Sequence, residues 1–186
     1  NVIYAAFEHP LPFLPNIKIQ HTELETDASN QLTRTFDFDD TQFSVSDNVA
    51  SEIDLSHTDA TFYWELLDNY VSFDIGVTAR LFDGEVKMQR STTTATESFD
   101  AVIPLVYGAA RIDLPLSGFY ASLSGNFLGV SDNHFLDYQA TIGYESAFRV
   151  GVEAGFRSLE LKLDDVDDIE SDITIDGAFI GLFIHL

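Results

Sequence analysis

The pair His57 and Asp59 comes closest to acid–base chemistry among the residues of this sequence. Residues two positions apart on a β-strand project from the same face, and a histidine beside a carboxylate can act as a general base. Ser56 would project from the opposite face, so it offers this pair no obvious nucleophile. The sequence has no Gly-rich phosphate loop, nucleophile elbow or His-Glu-x-x-His motif. We therefore expect no enzyme, with a hydrolase built on His57 and Asp59 as the alternative.

An acidic run near the C-terminus offers a second kind of chemistry. Residues 164–176 contain seven acids, and the run includes Asp164, Asp165, Asp167 and Asp168. Ca²⁺ prefers several carboxylate oxygens at flexible spacing. The run lacks the glycine and the closing glutamate of an EF-hand loop. Ca²⁺ binding by these four aspartates is one hypothesis, and a solvated acidic loop is the other. We expect no further cofactor.

The composition excludes several classes of protein. The 186 residues include 31 Asp and Glu against nine Lys and Arg, which gives a net charge of −22. Nucleic acid is excluded as a partner, because phosphate backbones bind basic faces. The chain has no cysteine, so it can form neither disulfides nor thiolate metal sites. The longest uncharged apolar runs, 101–110 and 177–186, are about half as long as a membrane helix, but a strand of that length could cross a membrane.

Hydrophobic residues recur with a period of two along most of the chain, which indicates β-strands. From Val71 to Leu81, one row of side chains is apolar, and the other row, which includes Asp74 and Arg80, is polar. Such a strand separates an apolar medium from a polar one. We expect one domain, 1–186, and a small hairpin within 32–46. The nine expected strands are about 1–9, 16–27, 51–66, 70–88, 99–113, 118–131, 134–146, 149–163 and 173–186.

The connections between these strands alternate between two kinds. Short ones are expected at 9–16, 67–69, 114–117 and 147–148, and longer acidic ones at about 28–50, 89–98 and 164–172, with a short member at 131–133. This asymmetry predicts an all-β, antiparallel up-and-down transmembrane β-barrel in the bacterial outer membrane, with the loops outside and the C-terminus on the periplasmic side. Such barrels have even strand numbers, so we expect a tenth strand before Asn1. A soluble β-sandwich binding module is the alternative, although three Lys and 16 Phe favour the barrel.

A resemblance to a known family points the same way. Three stretches, AAFEHPLPFLPNIK (5–18), LSHTDATFYWELLDNYVSFDIGVTARLFDGEV (55–86) and LDDVDDIESDITIDGAFIGLF (163–183), resemble small outer-membrane β-barrel proteins of gammaproteobacteria. The resemblance covers essentially the whole chain and implies the fold, the location and a further N-terminal strand, but no activity. The partners implied are outer-membrane lipid, lipopolysaccharide and the barrel-assembly machinery during insertion. Ca²⁺ or Mg²⁺ could bridge the acidic external loops to lipopolysaccharide phosphates. The enzymatic alternative becomes an outer-membrane hydrolase of the protease or lipid A-modifying type.

If the apolar rows face lipid, the polar rows fill the interior of the barrel. Charges there must be paired or hydrated, and a barrel of about eight to ten strands holds little more than side chains. We expect a salt-bridged structural plug, with a narrow pore as the alternative. The charged inward residues are Glu8, Lys18, Glu65, Asp74, Arg80, Arg111, Asp113, Glu145, Glu153 and Arg157, joined by Gln20, Asp59, Gln139 and His185. The interfacial aromatic girdle is expected from Tyr63, Trp64, Tyr70, Phe119, Tyr144 and Phe148.

Overall fold

The computed structural model of the protein describes residues 1–11, 13–31, 36–38, 41–44, 48–90, 93–130, 133–166 and 169–184. Within these ranges every regular element is a β-strand. The strands are β1 (Val2–Phe7), β2 (Asn16–Thr22), β3 (Glu25–Gln31), β4 (Phe36–Phe38), β5 (Thr41–Phe43), β6 (Asn48–Asp54), β7 (His57–Asp68), β8 (Val71–Arg90), β9 (Thr93–Asp113), β10 (Phe119–Val130), β11 (Asn133–Glu145), β12 (Val150–Val166) and β13 (Ile169–Ile184). In the part of the chain that the structure describes, no helix is long and apolar enough to cross a membrane.

The strands pair antiparallel, which confirms the all-β antiparallel class. As far as the described residues go, nine strands follow one another in one sheet, in the order β1, β2, β7, β8, β9, β10, β11, β12, β13. These match the nine expected strands. β3 pairs with β6, which also pairs with β8, and β4 and β5 form the small hairpin expected within 32–46. The tenth strand stays a prediction.

Two expected strands, 16–27 and 51–66, are each interrupted. The first divides into β2 and β3, and the second into β6 and β7. At the interruptions the Leu24 N–H donates to the Ser56 hydroxyl oxygen at 3.1 Å, and the Ser56 N–H donates to an Asp54 carboxylate oxygen at 2.8 Å. Short polar side chains compete in this way with the backbone ladder for its hydrogen-bonding groups.

The prediction of long loops at 89–98 and 164–172 was wrong. β8 and β9 together cover all but two residues of the first stretch, and β12 and β13 do the same for the second. The stretch 28–50 also contains parts of β3 and β6 together with the whole of β4 and β5. In 89–98 and 164–172 the sequence gives no period-two signal, because both rows of side chains are largely polar. Three of the first four residues of β9 are nonetheless threonine, which favours strands.

The chain divides into two compact units that interleave along the sequence. Unit 1 comprises Asn1–Ala6, Lys18–Ala60 and Ala79–Ile103. Unit 2 comprises Phe7–Ile17, Thr61–Thr78 and Pro104–Leu186. In unit 2 the meander from β9 to β13 fixes cross-strand partners, such as Tyr120 opposite Gly143. The expectation of one domain stays a prediction.

The buried and exposed rows of the strands differ in chemistry. Side chains that are polar yet buried include Thr61, Thr78, Arg80, Asp137, Thr141 and Ser158. Buried apolar side chains include Leu105, Tyr107, Tyr120, Phe135 and Leu159. Large apolar side chains exposed on β10 to β13 include Leu123, Phe127, Ile142, Val150, Val152, Phe156, Ile180, Leu182 and Ile184. One face of each of these strands is therefore apolar and exposed, while the other face carries most of the polar groups.

Candidate functional site

The Asp59 carboxylate and the Arg80 guanidinium form a buried ion pair in unit 1. Neighbouring strands β7 and β8 place both side chains on the buried row. Arg80 Nε donates to Asp59 Oδ1 at 2.7 Å, and Arg80 Nη2 donates to Asp59 Oδ2 at 2.6 Å. The two side chains are 0% and 3% exposed. Two parallel charge-assisted hydrogen bonds fix the orientation of the guanidinium as well as its position.

His57, the other half of the suggested general base, lies beside this pair. Its Nδ1 donates to the Leu55 carbonyl oxygen at 2.8 Å, and its ring centroid is 5.2 Å from that of Phe82. A ring nitrogen of His57 and a carboxylate oxygen of Asp59 lie within 4.8 Å, so the two could offer ligands to a metal ion. However, both carboxylate oxygens already accept hydrogen bonds from Arg80. His57 and Asp59 are also buried, whereas a general base must reach its substrate. The hydrolase alternative stays a prediction.

A second buried pair lies in unit 2. Arg157 Nε and Nη2 donate to the two carboxylate oxygens of Asp137 at 2.8 and 2.7 Å. The two side chains are 17% and 4% exposed. Sequence reasoning placed Arg157 inward but left out its partner Asp137. The alternation of side chains along β11 is the signal that predicts it, because Asp137 stands two positions before Gln139 and therefore on the same row.

Arg111 occupies a more exposed position in unit 2. Its Nη2 donates to Asp113 Oδ1 at 2.8 Å, and its Nε lies 3.1 and 3.2 Å from the two carboxylate oxygens of Asp113. Its guanidinium carbon stands 3.5 Å from the centroid of the Tyr120 ring. The Tyr120 hydroxyl donates to Glu153 at 3.0 Å. Four residues from β9, β10 and β12 thus form one connected polar group.

Aromatic rings cover glycines on the same row of unit 2. A Cβ added to Gly143 would collide with the ring of Tyr120, and Cβ atoms at Gly151 and Gly155 would collide with the rings of Phe183 and Phe179. Rings therefore occupy the space that side chains would otherwise fill. Sequence reasoning missed these pairs. The available signal was Gly151 and Gly155, four apart on one row of β12.

The other expected inward residues occupy several environments. The carboxylate of Glu8 accepts a hydrogen bond from the buried Tyr63 hydroxyl at 2.9 Å, and the Lys18 ammonium lies 5.2 Å from the Tyr4 ring centroid. In unit 2 the hydroxyls of Thr61 and Thr78 share a hydrogen bond, and the Thr78 hydroxyl donates to the side-chain amide oxygen of Asn126. Side chains that are neither fully buried nor exposed include Gln20, Asp74, Gln139, Glu145 and Glu153, whereas Glu65 is exposed and His185 lies outside the described residues.

The structure describes all six residues of the expected aromatic girdle but only two of the four expected calcium ligands. Five of the six girdle residues are exposed in unit 2, namely Trp64, Tyr70, Phe119, Tyr144 and Phe148, and the sixth, Tyr63, is buried. Asp167 and Asp168 lie outside the described residues. Asp164 and Asp165 belong to β12. Calcium binding by the four aspartates stays a prediction.

Comparisons of the chain with known protein families, with curated proteins and with solved structures find no match in any of the three. Function is therefore inferred from the arrangement of the residues. In both units an arginine and an aspartate are paired on the buried row, and in unit 2 apolar side chains stand on the exposed row.

Proposed function

We propose that this protein spans the bacterial outer membrane as a small antiparallel β-barrel with a structural, non-enzymatic role. Its interior would be plugged by paired charges and aromatic rings rather than open as a pore. The observation that carries the proposal is a change of chemistry along the outward row of β8, from apolar to charged, at one defined residue.

The outward row of β8 is apolar over the length that a membrane strand requires. It consists of Val71, Phe73, Ile75, Val77, Ala79 and Leu81, followed by Asp83, Glu85, Lys87 and Gln89. The apolar part covers 11 residues, from Val71 to Leu81. A tilted transmembrane strand needs about 9 to 11 residues. The charged part would lie in water beyond the bilayer.

On the neighbouring strand β9, the outward row also changes from apolar to charged side chains, at the position beside the change on β8. The Asp113 N–H donates to the Tyr70 carbonyl oxygen at 2.9 Å, which aligns one end of β9 with the start of β8. Counted from that end, Ile112 to Val102 again cover 11 residues, and the exposed Asp100 follows. Two paired strands thus favour the same boundary between lipid and water.

Exposed apolar side chains on β13 disfavour the soluble β-sandwich. Ile180, Leu182 and Ile184 are 84%, 80% and 68% exposed. Leaving such a side chain in water rather than burying it costs about 1.5 to 3 kcal/mol, and soluble monomers rarely expose large continuous apolar patches. A bilayer removes this cost because the hydrocarbon core is itself apolar.

The buried row supports a plugged interior. The Asp59–Arg80 pair fills part of unit 1, and in unit 2 the Asp137–Arg157 pair is accompanied by aromatic rings packed over glycines. Ions cross a pore easily only when its charged groups are hydrated rather than engaged with one another. We therefore expect the protein to insert into a bilayer without conducting.

The membrane assignment can be tested by attaching nitroxide labels to single cysteines, because the chain has no cysteine of its own. Val77→Cys and Gln89→Cys lie on the same row of β8, on opposite sides of the proposed boundary. In lipid vesicles the label at position 77 should collide mainly with oxygen, which concentrates in hydrocarbon. The label at position 89 should collide mainly with a water-soluble nickel complex. Equal collision with the nickel complex at both positions would refute the proposal.

The plug can be tested separately by single-channel recording in a planar bilayer. Insertion should be verified by protease protection of the protein recovered from vesicles prepared in parallel. We expect verified insertion without discrete current steps. Reproducible steps that change size with Arg157→Gln would instead establish the narrow pore.

A further inference from the structure

We propose that a pocket between two turns of unit 2 binds the headgroup of an ethanolamine phospholipid, whose acyl chains lie along the adjacent apolar row. This inference rests on the proposed function, since it requires that unit 2 contact a bilayer. It adds a specific lipid site that neither the fold nor the membrane assignment requires.

The pocket opens between the connection from β9 to β10 and the connection from β11 to β12. Its volume is about 450 Å³, which is enough for a phospholipid headgroup. Its lining includes Arg111, Asp113, Ser117, Tyr144, Glu145 and Ser146. A basic group, two carboxyl groups and three hydroxyl groups therefore surround one space.

Hydrogen bonds hold both turns in place around the pocket. The Ser117 hydroxyl donates to the Leu114 carbonyl oxygen at 2.8 Å, and the Ser146 hydroxyl donates to the Val150 carbonyl oxygen at 2.7 Å. The Glu145 N–H donates to the Gly118 carbonyl oxygen at 2.8 Å and joins one turn to the other strand pair. Gly118 has a φ of 76°, and a Cβ there would collide with the Glu145 carbonyl oxygen, so this close approach requires glycine. The site is preformed.

The charges of the pocket match a zwitterion better than an anion. Arg111 supplies one positive charge, and Asp113 and Glu145 supply two negative charges. A guanidinium suits a phosphodiester, which accepts its hydrogen bonds. A primary ammonium can donate hydrogen bonds to both carboxylates, whereas a trimethylammonium has no N–H to donate. Ethanolamine phospholipid carries both required charges, a glycerol headgroup lacks the cation, and a choline headgroup lacks the donors.

The Arg111 guanidinium is accessible yet held in a fixed orientation. The side chains of Arg111 and Asp113 are 35% and 40% exposed. On its inner side the guanidinium stacks on Tyr120, whose hydroxyl is in turn fixed by Glu153. A phosphate could therefore share the guanidinium with Asp113 without reorganising the pocket.

The pocket residue Tyr144 itself belongs to the exposed apolar row, which favours a lipid over a free headgroup. Ile112, Phe119 and Ile142 are 56%, 49% and 67% exposed. Phe119 packs against Tyr144, a pocket residue, with ring centroids 4.9 Å apart. Each acyl CH₂ that contacts this surface instead of water adds favourable transfer free energy, so the intact lipid should bind much more tightly than its headgroup.

Native mass spectrometry of the refolded protein in detergent can test this site. The protein is mixed with equal amounts of three phospholipids that share acyl chains but carry ethanolamine, choline or glycerol headgroups. We expect one ethanolamine lipid to be retained about tenfold more often than either competitor, as one or two charge-assisted hydrogen bonds would give. Asp113→Asn with Glu145→Gln should remove this preference. Asp176→Asn, at an exposed position of β13 outside the pocket, should leave it unchanged.

Three controls make the outcome decisive. Circular dichroism shows whether each variant folds, and either single substitution replaces the double one if the double variant does not. Glycerophosphoethanolamine at the lipid's concentration should not displace the lipid, and displacement would overturn the assignment to a phospholipid. Flotation with lipid vesicles separates the two proposals. If the protein floats with the vesicles but retains all three lipids equally, the headgroup site is overturned and the membrane proposal stands. If the protein does not float with the vesicles, both proposals are overturned.

Discussion

Two arginine–aspartate pairs with similar hydrogen bonds occupy opposite environments in this molecule. In unit 1, Arg80 and Asp59 are 0% and 3% exposed. In unit 2, the side chains of Arg111 and Asp113 are 35% and 40% exposed. Each arginine makes hydrogen bonds of 2.6 to 3.2 Å with both oxygens of its carboxylate. The difference therefore lies in access to solvent and not in pairing chemistry.

Burial changes what such a pair contributes. The charges of a buried pair have lost their hydration. Removing one partner therefore leaves the other charge buried and unpaired, which lowers the stability of the fold. A partly exposed pair can exchange its partner for water, salt or a ligand at little cost. The Asp59–Arg80 pair accordingly serves as a structural contact, whereas the Arg111–Asp113 pair is suited to binding.

Arg80→Ala should have the largest effect, because it leaves the Asp59 charge buried without its partner. We expect the free energy of unfolding, measured by urea titration in detergent, to fall by about 3 to 5 kcal/mol. A loss below about 1 kcal/mol would mean that water reaches Asp59 in the variant. The Asp59–Arg80 pair would then be no better shielded from water than the Arg111–Asp113 pair.

The double variant Arg80→Met with Asp59→Leu separates structure from function. If the pair is purely structural, apolar side chains of similar size should restore most of the lost stability. Restored stability should leave vesicle insertion unchanged. A double variant that is as unstable as Arg80→Ala would show that other groups near this position require the charges.

Gly143→Val should have an intermediate effect, because it disturbs the support under Arg111 rather than the pair itself. The new side chain would collide with the ring of Tyr120, on which the guanidinium stacks. Overpacking of this kind costs about 1 to 3 kcal/mol of unfolding free energy. Gly177→Val is the matched control, since a Cβ at Gly177 meets no atom within 4 Å. Equal losses in both variants would show that the rings over glycine contribute nothing specific.

The sequence predicts the central parts of the strands well because a half-apolar strand carries its own signal. Val71 to Leu81 alternates strictly, and β8 begins at the first of these residues. The start of β9 lacks the signal, since polar residues occupy both of its rows there. A ladder between two polar strands depends on the backbone, which a hydropathy pattern does not report.

Partner choice within the buried row could not be predicted in the same way. Parity places Asp59, Asp74 and Arg80 on inward rows, but it does not determine which acid meets the arginine. That depends on the register between β7 and β8, which is set along the whole length of both strands. The aromatic–glycine pairs depend on register too, as Tyr120 opposite Gly143 illustrates.

Arg111→Gln should reduce stability less than Arg80→Ala or Gly143→Val. The substitution removes a half-exposed pair and a cation–π contact with Tyr120, together worth about 1 kcal/mol. Urea titration in low and high salt provides the measurement, and added salt should narrow the gap between the variant and the parent protein because it screens exposed charges. A loss as large as that of Arg80→Ala would contradict the contrast between the two pairs.

Lys87→Met should have the smallest effect, because this ion pair is the most exposed of those compared. The Lys87 ammonium lies 2.6 Å from Glu85 and 3.6 Å from Glu52, and the hydrogen bond to Glu85 is the main cause that raises the pKa of Lys87 above its ordinary 10.5. Because folding raises the pKa of Lys87, the ion pair contributes its full stabilisation at pH values below the ordinary pKa of 10.5. The contribution disappears as the pH rises through the raised pKa of the folded protein. Water and salt screen it throughout, so the urea midpoints of variant and parent should coincide at neutral pH. If the urea midpoints of the variant and the parent protein differ clearly at neutral pH, solvent exposure of an ion pair does not determine how much the pair stabilises the fold.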